Sequence, residues 1–338
     1  MHTRTNPDIT LIIIGSEGFI GQKLVLECIK ISPKEIFLVD PKSSSDKLSN
    51  SKVKIYKCES FKELIARISE SKVRRSSRNF QNQVIILNSS GTSIKGKFES
   101  DLIEIKKFNL NLEIITDICN LIDFLHTEEF FNSILLCHLS TNAIMYEKNK
   151  SSYEHSKIVQ EDVLHSFMNC LRSNRVSLII TRLSDVYGDV DFHLNKVVNK
   201  MIINTRSNSR LSFINRSIYL RPIHVDFVAL QLIGLIKIFS KNNFPLFQLI
   251  SLDSKFVFKI KEIQTITILM SRVSNFLVYF QYYILFKAKF RFYFLNIKNR
   301  GTFLNTSAKK FLDGASSYDT YYDDSEFFSF LYKEIIDE

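Results

Sequence analysis

The fold is decided by the stretch ITLIIIGSEGFIG, residues 9–21. Its first six residues form an apolar run that predicts a buried strand, and the three glycines predict a tight turn into a helix. Gly15 permits the turn, Gly18 lets the backbone approach a pyrophosphate, and Gly21 lets the helix pack closely on the sheet. Phe19 and Ile20 open that helix, whose first N–H groups are unpaired and favour an anion. This order of elements predicts a dinucleotide-binding βαβ unit.

A second apolar run, residues 35–39, ends in Asp40. A carboxylate at this strand end can accept hydrogen bonds from the ribose hydroxyls of an adenosine, and it would repel a 2′-phosphate. The position therefore predicts NAD as the cofactor, with NADP less favoured. Lys42 and the serines after it leave NADP open if Asp40 turns away from the ribose.

Apolar runs alternate with helical patterns beyond Asp40, which predicts an α/β protein with a Rossmann-type doubly wound parallel sheet. Further strands are predicted over residues 52–56, 83–87, 133–139 and 176–180, and helices over 102–125, 151–171, 195–203 and 225–239. Asn88 and Ser89 follow the fourth strand and would let a cofactor lie against the strand ends.

The alternation loosens after residue 188, so we predict two domains. Residues 1–188 form the cofactor-binding domain, and residues 189–338 form a smaller C-terminal α+β substrate lobe, parts of which can rejoin the first domain. Short strands are predicted near residues 211–220. The acidic and aromatic tail, residues 318–324, is predicted to be a surface loop before a last helix.

Composition excludes several classes of protein. The 338 residues are 45% hydrophobic and 24% charged, which argues against disorder on a large scale. The net charge of +10 comes from basic clusters without an interleaved stacking motif, so we expect no nucleic-acid role. Five widely spaced cysteines predict neither a disulfide framework nor a metal site, and the histidines show no ligand spacing. The cysteine pattern and the short polar N-terminus lead us to expect a cytoplasmic protein.

One segment, residues 276–286, is strongly apolar and aromatic and is followed by Lys287, Lys289 and Arg291. It is shorter than the roughly 20 residues that a membrane-spanning helix needs, so we expect no integral membrane segment. Core packing, a dimer face and peripheral contact with an anionic membrane surface remain as interpretations.

Tyr153 and Lys157 lie four residues apart near the start of a predicted helix, hence on the same face. The ammonium group and the positive end of the helix both favour the phenolate, so we expect a lowered Tyr153 pKa. Such a pair can exchange protons with a substrate hydroxyl or carbonyl, as general acid and base.

These residues together resemble the extended short-chain dehydrogenase/reductase family, in its NAD-dependent epimerase/dehydratase branch. The glycine pattern, Asp40, Tyr153 and Lys157 match the branch's motifs, and the segments 182–188, 221–226 and 306–312 are similar to later ones. The resemblance implies an Asn, either Asn109 or Asn111, in the helix after the fourth strand. It also implies a nucleotide-linked sugar as substrate, contacted by Asp185 and Arg221, and a homodimer formed through helices 102–125 and 151–171.

The chain departs from the branch at some positions. Asn142 stands where members carry a Ser or Thr that polarises the reacting carbonyl, and Thr141 or Ser140 takes that role if the loop has an insertion. An Asn amide can also donate to a carbonyl oxygen. Asp185 stands where many members have Asn. Residues 142–145 lack the Asp-Glu pair typical of dehydratases, which disfavours dehydration.

The sequence therefore predicts an NAD-dependent epimerase or reductase of a nucleotide-linked sugar, serving polysaccharide biosynthesis, with Tyr153 as acid and base and Lys157 assisting. The competing hypothesis, motivated by Asn142 and Asp185, is a catalytically altered dinucleotide-binding protein that acts as a sensor or assembly partner.

Overall fold

The computed structural model describes residues 9–41, 53–73, 82–91, 101–146, 151–188, 197–206, 219–239, 247–254, 257–260 and 317–322. The strands are β1 Ile9–Ile14, β2 Glu35–Val39, β3 Lys54–Cys58, β4 Gln83–Asn88, β5 Ser133–Thr141, β6 Val176–Leu183, β7 Asp185–Tyr187, β8 Tyr219–Leu220, β9 Pro222–His224, β10 Phe247–Ser254, β11 Phe258–Lys259 and β12 Ser317–Tyr322. The helices are α1 Phe19–Lys30, α2 Phe61–Val73, α3 Asp101–Thr127, α4 Ala143–Tyr146, α5 Ser152–Leu171, α6 Val197–Arg206 and α7 Val225–Phe239.

Eight of these strands form one sheet in the order β12-β10-β6-β5-β4-β1-β2-β3. The six strands from β3 to β6 pair in parallel, and their order is that of a doubly wound Rossmann sheet. The predicted fold class is thereby confirmed. Ile14 lies opposite both Val39 and Asn88, so β1, β2 and β4 end at the same edge of the sheet. In such sheets ligands bind outside the carboxyl ends of the strands.

Helix packing explains why the central strands are continuous apolar runs rather than alternating ones. A parallel sheet has helices on both faces, so neighbouring side chains on a strand are all buried. One face carries a cluster that joins β1, β4 and β5 to α3 and α5; its members include Ile12, Ile86, Leu136, Leu121 and Leu164. Each such side chain contributes roughly 1.5–3 kcal/mol on burial.

The chain divides into two compact units. The first takes the described residues of Met1–Leu183, Ala229–Ser251 and Ser316–Tyr318, and the second takes those of Ser184–Val228, Leu252–Ala315 and Asp319–Glu338. In the second unit, β7 pairs in parallel with β9, and β8 pairs antiparallel with β11. Among the described helices, none has the length and apolar character needed to cross a bilayer.

The structure differs from the sequence prediction in several elements, among them α2 Phe61–Val73 and β10 Phe247–Ser254, which were not predicted. The tail was predicted as a loop, but residues 317–322 form β12 at the edge of the large sheet, consistent with the strand propensity of Tyr and Thr. β5 and β6 continue beyond their predicted ends, because their pairing runs on to Thr141 opposite Leu183. Predictions for residues 42, 211–218, 276–291 and 306–312 lie outside the described residues.

Candidate cofactor and catalytic site

The glycine turn is shaped by close backbone contacts. Gly15 has φ of 77°, and its amide donates to the Val39 carbonyl at 2.8 Å. A Cβ on Gly15 would lie 2.8 Å from the backbone of Ser90, and a Cβ on Gly21 would lie 1.9 Å from the Gly15 carbonyl oxygen. Side chains at these two positions would therefore clash with the backbone. Gly21 therefore lets α1 lie directly against the backbone of the Gly15 turn.

The first turn of α1 is open to an anion. Gly18 is the N-cap, with no side-chain capping bond and no acidic residue in the first turn. Phe19 and Ile20 are the first two helical residues, and both are half-buried. The positive end of such a helix fits a pyrophosphate.

Asp40 lies directly beside this turn. Its Oδ2 accepts a hydrogen bond from the Glu17 amide at 3.2 Å, and its own amide donates to the Cys58 carbonyl. The half-buried carboxylate is thus held next to the glycine turn, at the end of β2. A carboxylate in this place can accept hydrogen bonds from a ribose diol.

The end of β4 is fixed by a polar network that the sequence did not reveal. The buried Asn88 accepts hydrogen bonds through Oδ1 from the Ser90 amide at 3.1 Å and its hydroxyl at 2.5 Å, and its Nδ2 donates to His138 Nδ1 at 2.8 Å. Ser89 donates its amide and its hydroxyl to the Ile14 carbonyl. Burial and the nearby Lys157 charge hold the pKa of His138 well below its usual value, so this histidine is neutral.

Lys157 is a buried cation. Its Nζ donates to the Leu139 carbonyl at 3.1 Å, and its side chain packs beside Gly91. Burial lowers the pKa of Lys157 to about 8, an effect partly opposed by the charge of Glu161. A Cβ on Gly91 would lie 3.3 Å from Lys157 Nζ and 3.6 Å from Asn111 Oδ1, so Lys157 and Asn111 approach the same glycine.

The structure separates the two candidate asparagines of α3. Asn111 is buried, donates through Nδ2 to the Ser156 hydroxyl at 3.0 Å, and accepts at its carbonyl from Gln160 Nε2. Asn109 is exposed and lines an open groove on the helix surface. Only Asn111 therefore lies with Lys157.

Tyr153 is the second residue of α5 and lies one turn before Lys157. At this end of the helix, the Glu154 carboxylate accepts hydrogen bonds from the amide and hydroxyl of Ser151 in a capping box. The expected lowering of the Tyr153 pKa is wrong for the ligand-free protein. Burial of its hydroxyl, assisted by the charge of Glu154, raises the pKa of Tyr153 to about 12. Desolvation of the phenolate is the main cause of this shift.

The residues predicted to polarise the substrate carbonyl lie at the end of β5 and directly after it. Ser140 donates its hydroxyl proton to Glu161 Oε1 at 2.5 Å, and the same carboxylate forms a mostly buried ion pair with Arg182. Thr141 Oγ1 accepts from the Ala143 amide at 3.2 Å. Asn142 donates its amide to the Leu183 carbonyl at 2.7 Å and accepts at Oδ1 from the Ser251 hydroxyl at 2.9 Å.

In the second unit, Asp185 and Arg221 face each other across the β7–β9 pair. Asp185 Oδ2 accepts from the Arg221 amide at 2.8 Å, and the Arg221 guanidinium donates to the buried Asp253 Oδ2 at 2.9 Å. Part of the Asp185 carboxylate is therefore engaged in holding the strand pair. Asp253, which orients the guanidinium, was missed by sequence reasoning because it lies 32 residues away in β10.

Three cysteines are buried, Cys119 is half-buried and Cys170 is exposed. The five cysteines are all free thiols, and burial raises the pKa of Cys137 to about 12. Within the described ranges, no cluster of His, Cys, Asp and Glu has the arrangement of a metal site.

Fold and glycine turn together define a Rossmann-fold protein with the geometry of a dinucleotide-binding turn. No protein-family model and no curated protein matches the sequence. Solved structures do match. The enzyme WbmF of Bordetella bronchiseptica, in complex with NAD+, aligns over 77% of this chain and 78% of its own, with TM-score 0.53 at 15% identity.

Two epimerases are similar to the same extent. The UDP-Glc/GlcNAc 4-epimerase of Campylobacter jejuni aligns over 78% of this chain and 84% of its own, with TM-score 0.56 at 17% identity. The UDP-glucose 4-epimerase of Thermus thermophilus, in complex with NAD, aligns over 76% of this chain and 81% of its own, with TM-score 0.55 at 14% identity. This chain has the fold of these proteins, a Rossmann-type α/β fold with a parallel sheet, as the sequence predicted.

Proposed function

We propose that the protein is an NAD-dependent enzyme of the extended short-chain dehydrogenase/reductase family that epimerises or reduces a nucleotide-linked sugar. The observation that carries the proposal is the grouping, within one unit, of the glycine turn, the Asp40 carboxylate and the buried Lys157 at the ends of β1, β2 and β5. Two of the three glycine positions exclude any side chain, which fits a backbone cradle for a dinucleotide.

Residues of this unit would divide the binding of NAD among them. The first turn of α1 would hold the pyrophosphate, and Asp40 would bind the adenosine ribose. Asn88 and Ser89 would lie against the nicotinamide half of the cofactor. Lys157 would contact the nicotinamide ribose. Bound NAD supplies a hydride acceptor and, once reduced, a hydride donor. The carboxylate of Asp40 supports NAD over NADP, because it would repel a 2′-phosphate.

Tyr153 would act as the acid and base. Its raised pKa keeps it a neutral phenol in the ligand-free protein, so it is ready to give a proton to a ketone oxygen. Lys157, in the next turn of the helix, would stabilise the phenolate that remains. Thr141 or Asn142 would donate a hydrogen bond to the same substrate oxygen.

The substrate class is a sugar joined to a nucleoside diphosphate. The Campylobacter and Thermus proteins are epimerases of UDP-linked sugars, and the Arg221 guanidinium, oriented by Asp253, is a suitable partner for a diphosphate. Asp185 would accept hydrogen bonds from sugar hydroxyls. We infer that the product serves polysaccharide synthesis.

We further infer a homodimer and a cytoplasmic location. α3 exposes several large apolar side chains that a partner subunit would cover: Leu102, Ile103, Ile105 and Leu110. Five free thiols are typical of a reducing compartment. The domain division, with cofactor binding in residues 1–188 and mainly substrate binding in 189–338, and peripheral membrane contact through residues 276–291 are kept as hypotheses.

A second candidate is a dinucleotide-binding protein without turnover, favoured by Asn142 at the usual Ser or Thr position. One experiment separates the two. The nucleotide that copurifies is released by denaturation and identified, and the emptied protein is titrated with NAD and NADP. NAD-loaded protein is then incubated with UDP-glucose and UDP-N-acetylglucosamine, and epimers and reduced nicotinamide are measured.

Turnover that Tyr153→Phe abolishes, with NAD affinity unchanged, supports the enzyme. NAD binding with no turnover on either sugar favours the binding protein. Failure to bind either dinucleotide would contradict both candidates.

A further inference from the structure

His138 lies beside the end of β4. In the parallel pairing of β4 with β5, Asn88 stands opposite His138. The Asn88 Nδ2 group lies 2.8 Å from His138 Nδ1, and both side chains are buried. This hydrogen bond therefore joins the two strands at the sheet edge where β1, β2 and β4 end.

The direction of this bond is fixed by Ser90. The Ser90 amide can only donate, and it lies 3.1 Å from Asn88 Oδ1. The Ser90 hydroxyl donates to the same oxygen. The oxygen of the Asn88 carboxamide therefore faces Ser90, and its NH2 group faces His138. Because an NH2 group can only donate, His138 Nδ1 is the acceptor, and the neutral ring carries its proton on Nε2.

The second ring nitrogen of His138 gains nothing from its position. Among the residues that the structure describes, none is a hydrogen-bond partner of the buried Nε2. A buried N–H without a partner costs free energy, so packing alone would favour an apolar ring here. What His138 contributes at this position is therefore its Nδ1 acceptor.

Residues 89–91, which we call the β4 loop, run from the glycine turn to Lys157. At the start of the loop, Ser89 donates its amide and its hydroxyl to the Ile14 carbonyl, both at 3.0 Å. At its end, a Cβ on Gly91 would lie 3.3 Å from Lys157 Nζ. One end thus adjoins the site proposed for the pyrophosphate, and the other adjoins the residue proposed to contact the nicotinamide ribose.

The two ends of the β4 loop are held by different hydrogen bonds. The bonds of Ser89 go to β1 and do not involve His138. Ser90, which directly precedes Gly91, is held by Asn88 Oδ1, and the direction of this oxygen depends on His138. Loss of the His138 acceptor should therefore displace the end of the loop near Lys157 and leave the end at the glycine turn in place.

We propose that His138 is a positioning residue for the cofactor, which acts through Asn88 to hold the β4 loop where the nicotinamide half of NAD binds. This inference rests on the cofactor-binding part of the proposed function. It predicts that the His138 ring governs affinity for the nicotinamide half of NAD and not for the ADP half.

The test compares binding of NAD with binding of ADP, which lacks the nicotinamide half. Both affinities are measured by calorimetry on the nucleotide-free full chain, for wild type, His138→Phe, His138→Leu and His138→Asn. His138→Phe is also measured in an Asn88→Ala background. Thr181→Val is the matched control, because it removes from β6 a hydroxyl that is likewise buried and has no partner among the described residues.

His138→Phe and His138→Leu should each weaken NAD binding about fivefold, the effect of one lost hydrogen bond, and leave ADP binding unchanged. His138→Asn should keep most of the NAD affinity, because its Oδ1 can accept from Asn88 in place of Nδ1. In the Asn88→Ala background, His138→Phe should have no further effect. Thr181→Val should change neither affinity.

The proposal is overturned if His138→Phe and His138→Leu leave NAD affinity unchanged, or if they weaken NAD and ADP binding equally, as general damage to the fold would do. If one of these two variants does not fold, the other decides. An effect of His138→Phe that is equally large in the Asn88→Ala background also overturns it.

Two results on the wild-type protein bear on the proposed function separately. Wild type that binds neither NAD nor NADP contradicts that function, and this inference with it. Wild type that binds NAD without turnover contradicts only the proposed enzyme, and the affinities of the His138 variants still decide this inference.

Discussion

Lys157 is expected to destabilise the ligand-free protein, because its ammonium group is buried. Its pKa falls from 10.5 to about 8, and a change of one in pKa corresponds to about 1.4 kcal/mol. The buried charge therefore lowers the free energy of unfolding by about 3 kcal/mol at neutral pH. Lys157→Met removes the charge and keeps most of the stem, and it gives up the hydrogen bond to Leu139, worth about 1 kcal/mol. We predict a net gain of about 2 kcal/mol at pH 7.

The sign of the pH dependence follows from the direction of the shift. At pH 7 the lysine is charged in both the folded and the unfolded state, so the penalty is complete. Between pH 8 and 10.5 the folded state has released the proton while the unfolded chain still binds it, so the free energy of unfolding rises with pH in this window. The advantage of Lys157→Met should therefore be largest at pH 7 and nearly absent at pH 10.

The assay is urea unfolding of nucleotide-free wild type and Lys157→Met at pH 7 and pH 10. Lys200→Met, a change at an exposed position, is the control and should leave the free energy of unfolding unchanged at both pH values. Comparing variants at each pH cancels the titration of the other lysines and tyrosines. The reasoning is refuted if Lys157→Met is no more stable than wild type at pH 7, or if its gain is equal at both pH values.

Gly21→Ala should lower the free energy of unfolding by about 1–3 kcal/mol and weaken NAD binding, because its Cβ would lie 1.9 Å from a backbone oxygen. Unfolding and calorimetry measure the two effects. Gly234→Ala is the control and should be neutral or stabilising, because nothing lies within 4 Å of a Cβ there. Asp40→Asn keeps an acceptor for the Glu17 amide but removes the negative charge. The ratio of NADP affinity to NAD affinity should therefore rise at least tenfold, about 1.4 kcal/mol. An unchanged ratio would contradict the role proposed for Asp40. Glu161→Gln should lower the free energy of unfolding by about 3 kcal/mol, because the Arg182 guanidinium loses the carboxylate of its ion pair. In a double-mutant cycle, adding Arg182→Met should restore much of the lost stability.

The elements that sequence reasoning placed correctly are those determined by local patterns. The glycine turn, α1 and Asp40 lie within 32 consecutive residues, 9–40, so their spacing alone specifies the strand, turn, helix and strand end. The stripe of Tyr153 and Lys157 on α5 is likewise a consequence of helical periodicity. Its capping box is readable from Ser151 and Glu154.

Contacts between distant segments were not predictable in this way. The choice of Asn111 over Asn109 depends on which face of α3 packs on α5, and the bond from Asn88 to His138 joins neighbouring strands 50 residues apart. The strand at residues 317–322 was missed because its pairing partner, β10, is remote in sequence.

The sequence by itself determined the βαβ unit, the alternation of strands and helices, and the candidate pair Tyr153 and Lys157, because helix and strand periodicity and turn geometry act over a few residues. Only the tertiary structure decided the protonation state of that pair and the orientation of Asn142. The electrostatic effect of burial depends on how completely the whole fold removes water from a group. It raises the pKa of Tyr153 and lowers that of Lys157. The hydrogen bond to Asn142 Oδ1 comes from Ser251, 109 residues further along the chain, and only the folded protein brings the two together.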